Sequence, residues 1–262
     1  MSALTRTLVK ATRNRFIQDF LERNVEFSQF LMGVGSGGGV NSSGEYAIFG
    51  YLQDTLKGPY CIFDVGANKG QFLELATKGL RGTEYVVHCF EPGRETFRRL
   101  EQAASGRSDV RLNNFGLGKK SGEATLHYDE VGSGLASLTK RRLDHFNLDF
   151  ELSETISMTT VDDYCASHGI DHIHLLKIDI EGHELDALAG ARKMLSTQAI
   201  DIVTFEFGGC NIDTRTYFQD FWYFFSKSNF DMYRITPSGY LHPLKAYSEL
   251  HEQFRTTNFM AV

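Results

Sequence analysis

At 262 residues, with 42% hydrophobic and 13% aromatic content, the chain can bury one substantial core, as a single large domain or a domain with a small appendage. Its formal net charge of −6 leaves no global basic surface for phosphate, which argues against a nucleic-acid partner. No run approaches the roughly 18 apolar residues that cross a bilayer, and the basic stretch 1–14 has no apolar h-region, so a soluble, cytoplasmic protein without transmembrane segment or secretory signal is expected.

Residues 1–32 have a helical pattern, with Leu8, Phe16, Phe20 and Leu21 recurring near helical spacing and Arg6, Lys10, Arg13 and Arg15 between them. Such a helix packs on the main body or on a neighbouring subunit, and membrane attachment is the less favoured reading. Gly33-Val34-Gly35-Ser36-Gly37-Gly38-Gly39 follows. Gly33, Gly35 and Gly38 satisfy G-x-G-x-x-G in form, but a helical pattern precedes them and no β-α-β unit follows. A nicotinamide oxidoreductase is therefore disfavoured, and the segment is either a lid over a site or a plain linker. Ser42 or Ser43 is placed to cap a helix that Tyr46, Ile48, Phe49 and Leu52 would continue.

From residue 60 strands and helices alternate. Strands are expected near 60–65, 84–90, 109–113, 173–178, 200–206, 230–236 and 256–262, and helices near 69–79, 93–104, 161–168, 183–195 and 214–228. This order implies a mostly parallel sheet covered by helices on both faces, closed by an antiparallel edge. A hairpin-like stretch at 122–128 and a short strand near 156–160 interrupt it. The division expected is a helical extension over 1–59, which helps choose the ligand or closes over it, and a main domain over 60–262. Cys61, Cys89, Cys165 and Cys210 form no C-x-x-C pair and read as reduced thiols. The aromatic run from Tyr217 to Phe225 has helical spacing and reads as core rather than as a sugar-stacking platform.

Two dense motifs carry chemistry. The first is Phe63-Asp64-Val65-Gly66-Ala67-Asn68-Lys69-Gly70, an apolar strand ending in an acid and a glycine turn. Asp64 is placed to accept from a ligand ammonium, Gly66 to allow the sharp bend, and Gly70 to bring the helix start close to the ligand. Glu91, 21 residues after Gly70, ends the next strand where an acid reaches ribose hydroxyls. Asn113 or, better, Asn114 ends the third strand, where an amide would face a nucleobase edge. The second motif is Leu176-Lys177-Ile178-Asp179-Ile180-Glu181-Gly182-His183-Glu184. In an extended backbone Asp179, Glu181 and His183 would share one side, and Glu206 adds a carboxylate at the same sheet edge. A divalent ion on Asp179, Glu181 and His183 is conceivable but not favoured, and Ala187 breaks the H-E-x-x-H zinc pattern. Neither a phosphate-binding G-x-x-x-x-G-K-[ST] loop nor a G-x-S-x-G nucleophile elbow is present.

Together these two motifs, with Phe90-Glu91-Pro92, Asn114-Phe115-Gly116-Leu117 and Thr160-Val161-Asp162-Asp163-Tyr164, resemble the FkbM-type methyltransferases over about residues 60–209. The resemblance implies a class I, Rossmann-like three-layer sandwich: a seven-stranded, mostly parallel sheet with an antiparallel C-terminal hairpin. It also implies S-adenosylmethionine as cofactor and O-methylation of a carbohydrate or natural-product hydroxyl. Asp64, Gly66, Asn68 and Gly70 would then surround the methionine part, Glu91 the ribose and Asn114 the adenine. Asp179, Glu181 and His183 would face donor and acceptor, with His183 the first choice as general base. A catalytically silent nucleoside-binding module is the alternative of another class. The sequence leaves open the acceptor and whether the chain is a homo-oligomer.

Overall fold

The computed structural model describes residues 2–262. Two helices, α1 (Ala3–Ala11) and α2 (Arg15–Met32), lead through the glycine segment to α3 (Ala47–Thr55). Alternation then runs β1 (Tyr60–Val65), α4 (Gln71–Gly79), β2 (Tyr85–Phe90), α5 (Arg94–Ala103) and β3 (Val110–Asn113). The interruption comprises β4 (Gly116–Leu117), β5 (Gly122–Tyr128) and β6 (Leu152–Thr159). Next come α6 (Val161–His168), β7 (Ile173–Ile178), α7 (Glu184–Ala189), α8 (Arg192–Ser196) and β8 (Ile200–Phe207). The chain ends with α9 (Cys210–Thr214), α10 (Phe218–Lys227), β9 (Met232–Ile235), β10 (Leu241–Leu244) and β11 (Thr257–Ala261).

The main sheet has the order β10-β9-β11-β8-β7-β1-β2-β3. Strands β3, β2, β1, β7 and β8 are parallel neighbours, and β11 runs antiparallel between β8 and β9. Seven strands thus follow the expected plan. The eighth, β10, is not among the expected strands; it pairs antiparallel with β9, and as an edge strand it tolerates Pro243.

Side chains alternate between two cores, as the strand period requires. Phe63, Leu176, Val203 and Phe259 join one core with α6, α7, α8 and α10. Ile62, Leu175, Ile202 and Met260 join the other with α3, α4 and α5. The aromatic run is core on its inner face: Phe218, Phe221 and Phe225 are fully buried, and Phe221 stacks on Phe205 at 4.5 Å.

Three local expectations change. The helix expected over 183–195 divides at Gly190, where a Cβ would lie 2.1 Å from the Gly118 carbonyl oxygen, so this position serves close packing against the turn after β4. Neither Ser42 nor Ser43 caps α3; the Ser43 hydroxyl donates to the Glu45 carboxylate at 2.7 Å, and the helix starts at Ala47. The short strand near 156–160 is an eight-residue strand, β6, which pairs with β5 over residues 152–158 and with β4 in a second, three-stranded sheet. Residues 1–59 also divide differently in space. Ile48, Phe49 and Leu52 of α3 are buried in the second core, whereas α2 contributes no buried residue.

Candidate active site

The parallel register sets the site. Val65 pairs with Phe90 on one side and Ile178 on the other, so the residues following β1, β2 and β7 leave the sheet at one carboxyl edge. Main-chain bonds join these loops: Gly66 and Ala67 N–H both donate to the Phe90 carbonyl at 3.0 Å, and Asp179 N–H donates to Val65 at 2.9 Å. Gly66 has φ 82°, and a Cβ there would fall 1.8 Å from the Asp179 carbonyl oxygen. Only glycine lets the first and fourth loops close on each other.

Glu91 is the hinge of the first half. Its Oε1 accepts from Gly93 N–H at 2.9 Å and its Oε2 from Asn68 N–H at 3.0 Å. Burial pushes its carboxyl up to about 7, against the pull of those two amides. Asn68 sits in the left-handed region (φ 49°), and its buried Oδ1 has no hydrogen-bond partner. Gly66, Ala67, Asn68 and Glu91 line a cavity of about 900 Å³. Gly70 and Asn114 lie outside its walls. A Cβ at Gly70 would meet Leu100 and Ala103 of α5 at 3.3 Å, so this glycine serves helix packing. The Asn114 amide instead donates to the carbonyls of Glu91 (2.9 Å) and Pro92 (3.2 Å), bracing the strand end.

Asp64 also sits behind the wall. It is fully buried, neither oxygen receives a hydrogen bond, and its close partner is the Lys177 ammonium, 3.2 Å from Oδ1. Lys177 is 3.4 Å from Asp179 and lies over the Phe72 ring at 5.3 Å. Burial opposes its charge, but Asp64, Asp179 and Glu45 outweigh that and hold its pKa above the ordinary lysine value. Sequence reasoning gave this lysine no role of its own.

The second motif is a turn rather than the extended run expected. Glu181 has φ 54° and Gly182 φ 100°. The buried Glu184 supports the turn, its Oε1 accepting from Ile180 N–H (3.2 Å) and Gly182 N–H (3.0 Å). Asp179, Glu181 and His183 nonetheless all reach the cavity. Glu181 is committed to Arg141 Nη1 at 2.5 Å, while Arg141 Nε also reaches Asp213 at 3.4 Å. Burial pushes Glu181 up to about 8 despite that cation. His183 is held at both nitrogens: Nδ1 is 2.9 Å from Asp186 Oδ2 and Nε2 is 3.0 Å from Thr139 Oγ1. Contact with His183 holds the Asp186 carboxyl below its ordinary value, so it is ionised and can only accept. A proton on Nδ1 suits this pair, which leaves Nε2, beside the Thr139 hydroxyl, as the nitrogen turned to the cavity.

Two more carboxyls face Asp179, and one of them, Glu45, also faces Lys177. Glu206, at the end of β8, is held well above the carboxylate range by burial and by its acidic neighbours. Glu45 is pushed up to about 7, mainly by burial. Sequence reasoning placed Glu206 at this edge but gave Glu45 no part in the site. The glycine segment forms a wall: Gly35 and Gly37 N–H donate to the Thr256 carbonyl at 3.0 and 2.9 Å, and Gly35, Gly37 and Gly38 line the cavity. Leu117, Leu126, Ile156 and Met158 give an apolar side from the small sheet, which the sequence had shown only as an interruption.

Residues 64–232 match the methyltransferase FkbM domain, well over half of the chain. The chain belongs to the FkbM methyltransferase family. It is 24% identical over 148 residues to 2-O-methyltransferase NoeI of Sinorhizobium fredii, covering 52% of this chain and 58% of that protein. It is 26% identical over 164 residues to hexuronic acid methyltransferase AglP of Haloferax volcanii, covering 62% of each. The match thus spans about six tenths of the length of these relatives. Among solved structures, methyltransferase FkbM from Methylobacillus flagellatus KT is similar over 82% of this chain and 47% of that one, with TM-score 0.48 and 18% identity. The plantazolicin methyltransferase BpumL in complex with SAH is similar over 95% and 91%, with TM-score 0.43 and 10% identity. The family's class I arrangement accounts for the main sheet, with β10 added at its edge.

The donor set fits the family's cofactor, S-adenosylmethionine. Glu91 keeps free lone pairs beyond its two amide bonds, the unpartnered Asn68 Oδ1 is beside it, and both face a cavity within the size range of cofactor sites. A metal fits less well. Among the described residues, the ligand-type side chains that converge within 4.8 Å are His172, His174 and Asp201, at the opposite, amino end of the strands. There His174 Nδ1 already accepts from Cys61 N–H at 3.0 Å, and His172 is bonded to Asp201 at 2.6 Å. No helix among the described residues is long and apolar enough to cross a membrane.

Proposed function

We propose that this chain is an S-adenosylmethionine-dependent O-methyltransferase whose acceptor is a carbohydrate hydroxyl. The observation that carries the reading is one cavity bounded by Glu91, fixed by two amides, and by His183, whose Nδ1 lies 2.9 Å from the Asp186 carboxylate. The names of the two relatives, one for a 2-oxygen and one for a hexuronic acid, favour a sugar oxygen over other acceptors. The cofactor, when bound, supplies an electrophilic methyl group. Glu91 would accept from its ribose hydroxyls, and Asn68 Oδ1 would take a further donor. With the Thr139 hydroxyl turned away from it, His183 Nε2 would receive the acceptor hydroxyl proton as the new C–O bond forms, and Asp186 would stabilise the resulting imidazolium. Arg141, locked by Glu181 and Asp213, would hold the 137–143 segment as the acceptor-side wall. The glycine segment and the apolar small-sheet side would exclude water. Four unpaired cysteines, three of them buried, support a reducing, cytoplasmic setting.

Calorimetric titration with S-adenosylmethionine tests the donor half. Above about pH 8, where Glu91 is ionised, Glu91→Gln replaces a charged acceptor with a neutral one, worth about 1.5–3 kcal/mol, so affinity should fall about 10- to 100-fold. The chemical half is read by methyl transfer to neutral and uronic-acid oligosaccharides, where Asp186→Asn should lower turnover while leaving donor affinity unchanged. Absence of donor binding sinks the whole reading. Tight binding without transfer to any glycan leaves the silent nucleoside-binding module instead.

A further inference from the structure

The helical arm preceding the glycine segment stands apart from the body. No residue of α2 is buried, and α1 and α2 present large apolar side chains along their length. Phe16, Phe20, Phe27 and Phe30 are 80%, 57%, 64% and 47% exposed. These four rings alone offer on the order of 500 Å² of apolar surface. That is comparable with the largest apolar patch of an ordinary monomer, and Leu4, Leu8, Val25 and Leu31 are exposed as well. A stable pairing needs about 800 Å² from each partner, which the arm can supply and the body does not cover.

Charge decides what covers it. Residues 2–14 carry Arg6, Lys10 and Arg13 and no acid, whereas α2 carries Asp19, Glu22 and Glu26 against Arg15 and Arg23. Arg15 is already paired with Asp19 at 3.5 Å, leaving the basic surplus at the start of the arm and a net acidic charge, Glu22 and Glu26 against Arg23, in its second half. An antiparallel partner with the same sequence brings each basic start against the other's acidic half. An anionic membrane would offer Glu22 and Glu26 no cation, whereas the basic start of a second copy does. We infer that the arm is a self-association element, pairing antiparallel with the arm of a second copy about a two-fold axis.

The arm also leads into the site. Its C-terminal end is fastened to the body by Gln29, which bonds Gln253 and Arg255 at 2.7 Å, and by the Met32 carbonyl, which accepts from Arg234 at 2.8 Å. The glycine segment begins at the next residue and lines the cavity from Gly35, so each copy's arm is mounted close to its own cavity.

Light scattering and sedimentation velocity on the full chain at micromolar concentration should give twice the 29.6 kDa chain mass. Phe16→Glu/Phe20→Glu/Phe27→Glu should halve that mass while keeping the native circular dichroism, because all three rings are already exposed. Glu22→Lys/Glu26→Lys should weaken the dimer at least tenfold at low salt, and adding Arg6→Glu/Lys10→Glu should restore it. A monomeric wild-type chain, a triple variant that stays dimeric, or failure of the paired charge reversal to rescue would each overturn the inference. So would a monomer that leaves solution only on phosphatidylglycerol vesicles, which would make the arm a membrane element.

Discussion

Burial displaces four glutamates of this site in one direction: Glu45, Glu91 and Glu184 to about 7 and Glu181 to about 8. Their ordinary value is near 4.3, so between about pH 6.5 and 8 the unfolded chain has already released these protons while the folded chain is still losing them. Stability must then fall as pH rises through that window. His88, lowered to about 4 mainly by burial, acts in the opposite sense, but only below the ordinary histidine value. Each glutamate contributes on the order of 1 kcal/mol across the window, which suggests a melting temperature at least about 4 °C lower at pH 8. Differential scanning calorimetry of ligand-free protein should record that drop, and Glu45→Gln should lessen it. A flat or rising profile would mean that these carboxyls are hydrated rather than desolvated. Glu91 was legible in the sequence because an acid ending an apolar strand has few structural uses. Glu45, Arg141 and Asp186 were not legible as site residues. Glu45 and Arg141 reach the cavity from distant segments through long-range packing, and Asp186 matters only through the rotamer of His183.

At the scale of elements, strands buried on both faces wrote themselves as apolar runs, and the helices between them followed from spacing and turn residues. The edge strand β10 did not, because Leu241-His242-Pro243-Leu244 is short, half polar and contains proline. The divided helix at Gly190 was equally hidden, since its cause is the backbone of Gly118 and not its own sequence neighbours. Helix α10 separates two readings of its aromatic run. Phe221 is fully buried and stacked on Phe205, whereas Tyr223 is half exposed. Phe221→Ala should therefore cost about 3 kcal/mol or more, a fall in melting temperature of about 6 °C or more, with acceptor KM unchanged. Tyr223→Ala should change stability by less than about 0.5 kcal/mol. A raised acceptor KM with intact stability in Phe221→Ala would instead make the run a sugar platform.

For the whole molecule, the sequence boundary at residue 59 and the physical boundary near residue 32 assign different work to the same stretch. The pattern of 1–59 departs from the alternating core, which is why it reads as an extension. Yet α3 fills the core beside α4, Glu45 faces Lys177, and Gly35 and Gly37 hydrogen-bond the chain just before β11. What lies outside is only the arm. A chain beginning at Gly33 should keep a single cooperative unfolding transition, because α2 buries nothing. A chain beginning at Tyr60 loses Ile48, Phe49 and Leu52, three fully buried side chains, each worth about 2–5 kcal/mol on removal. That loss is comparable with the entire stability of a domain of ordinary marginality. Expressed side by side, the first truncation should give a folded protein by circular dichroism and the second should give none. A folded protein from Tyr60 onward would mean that the family-matched region is self-sufficient and that the α3 layer is an accessory.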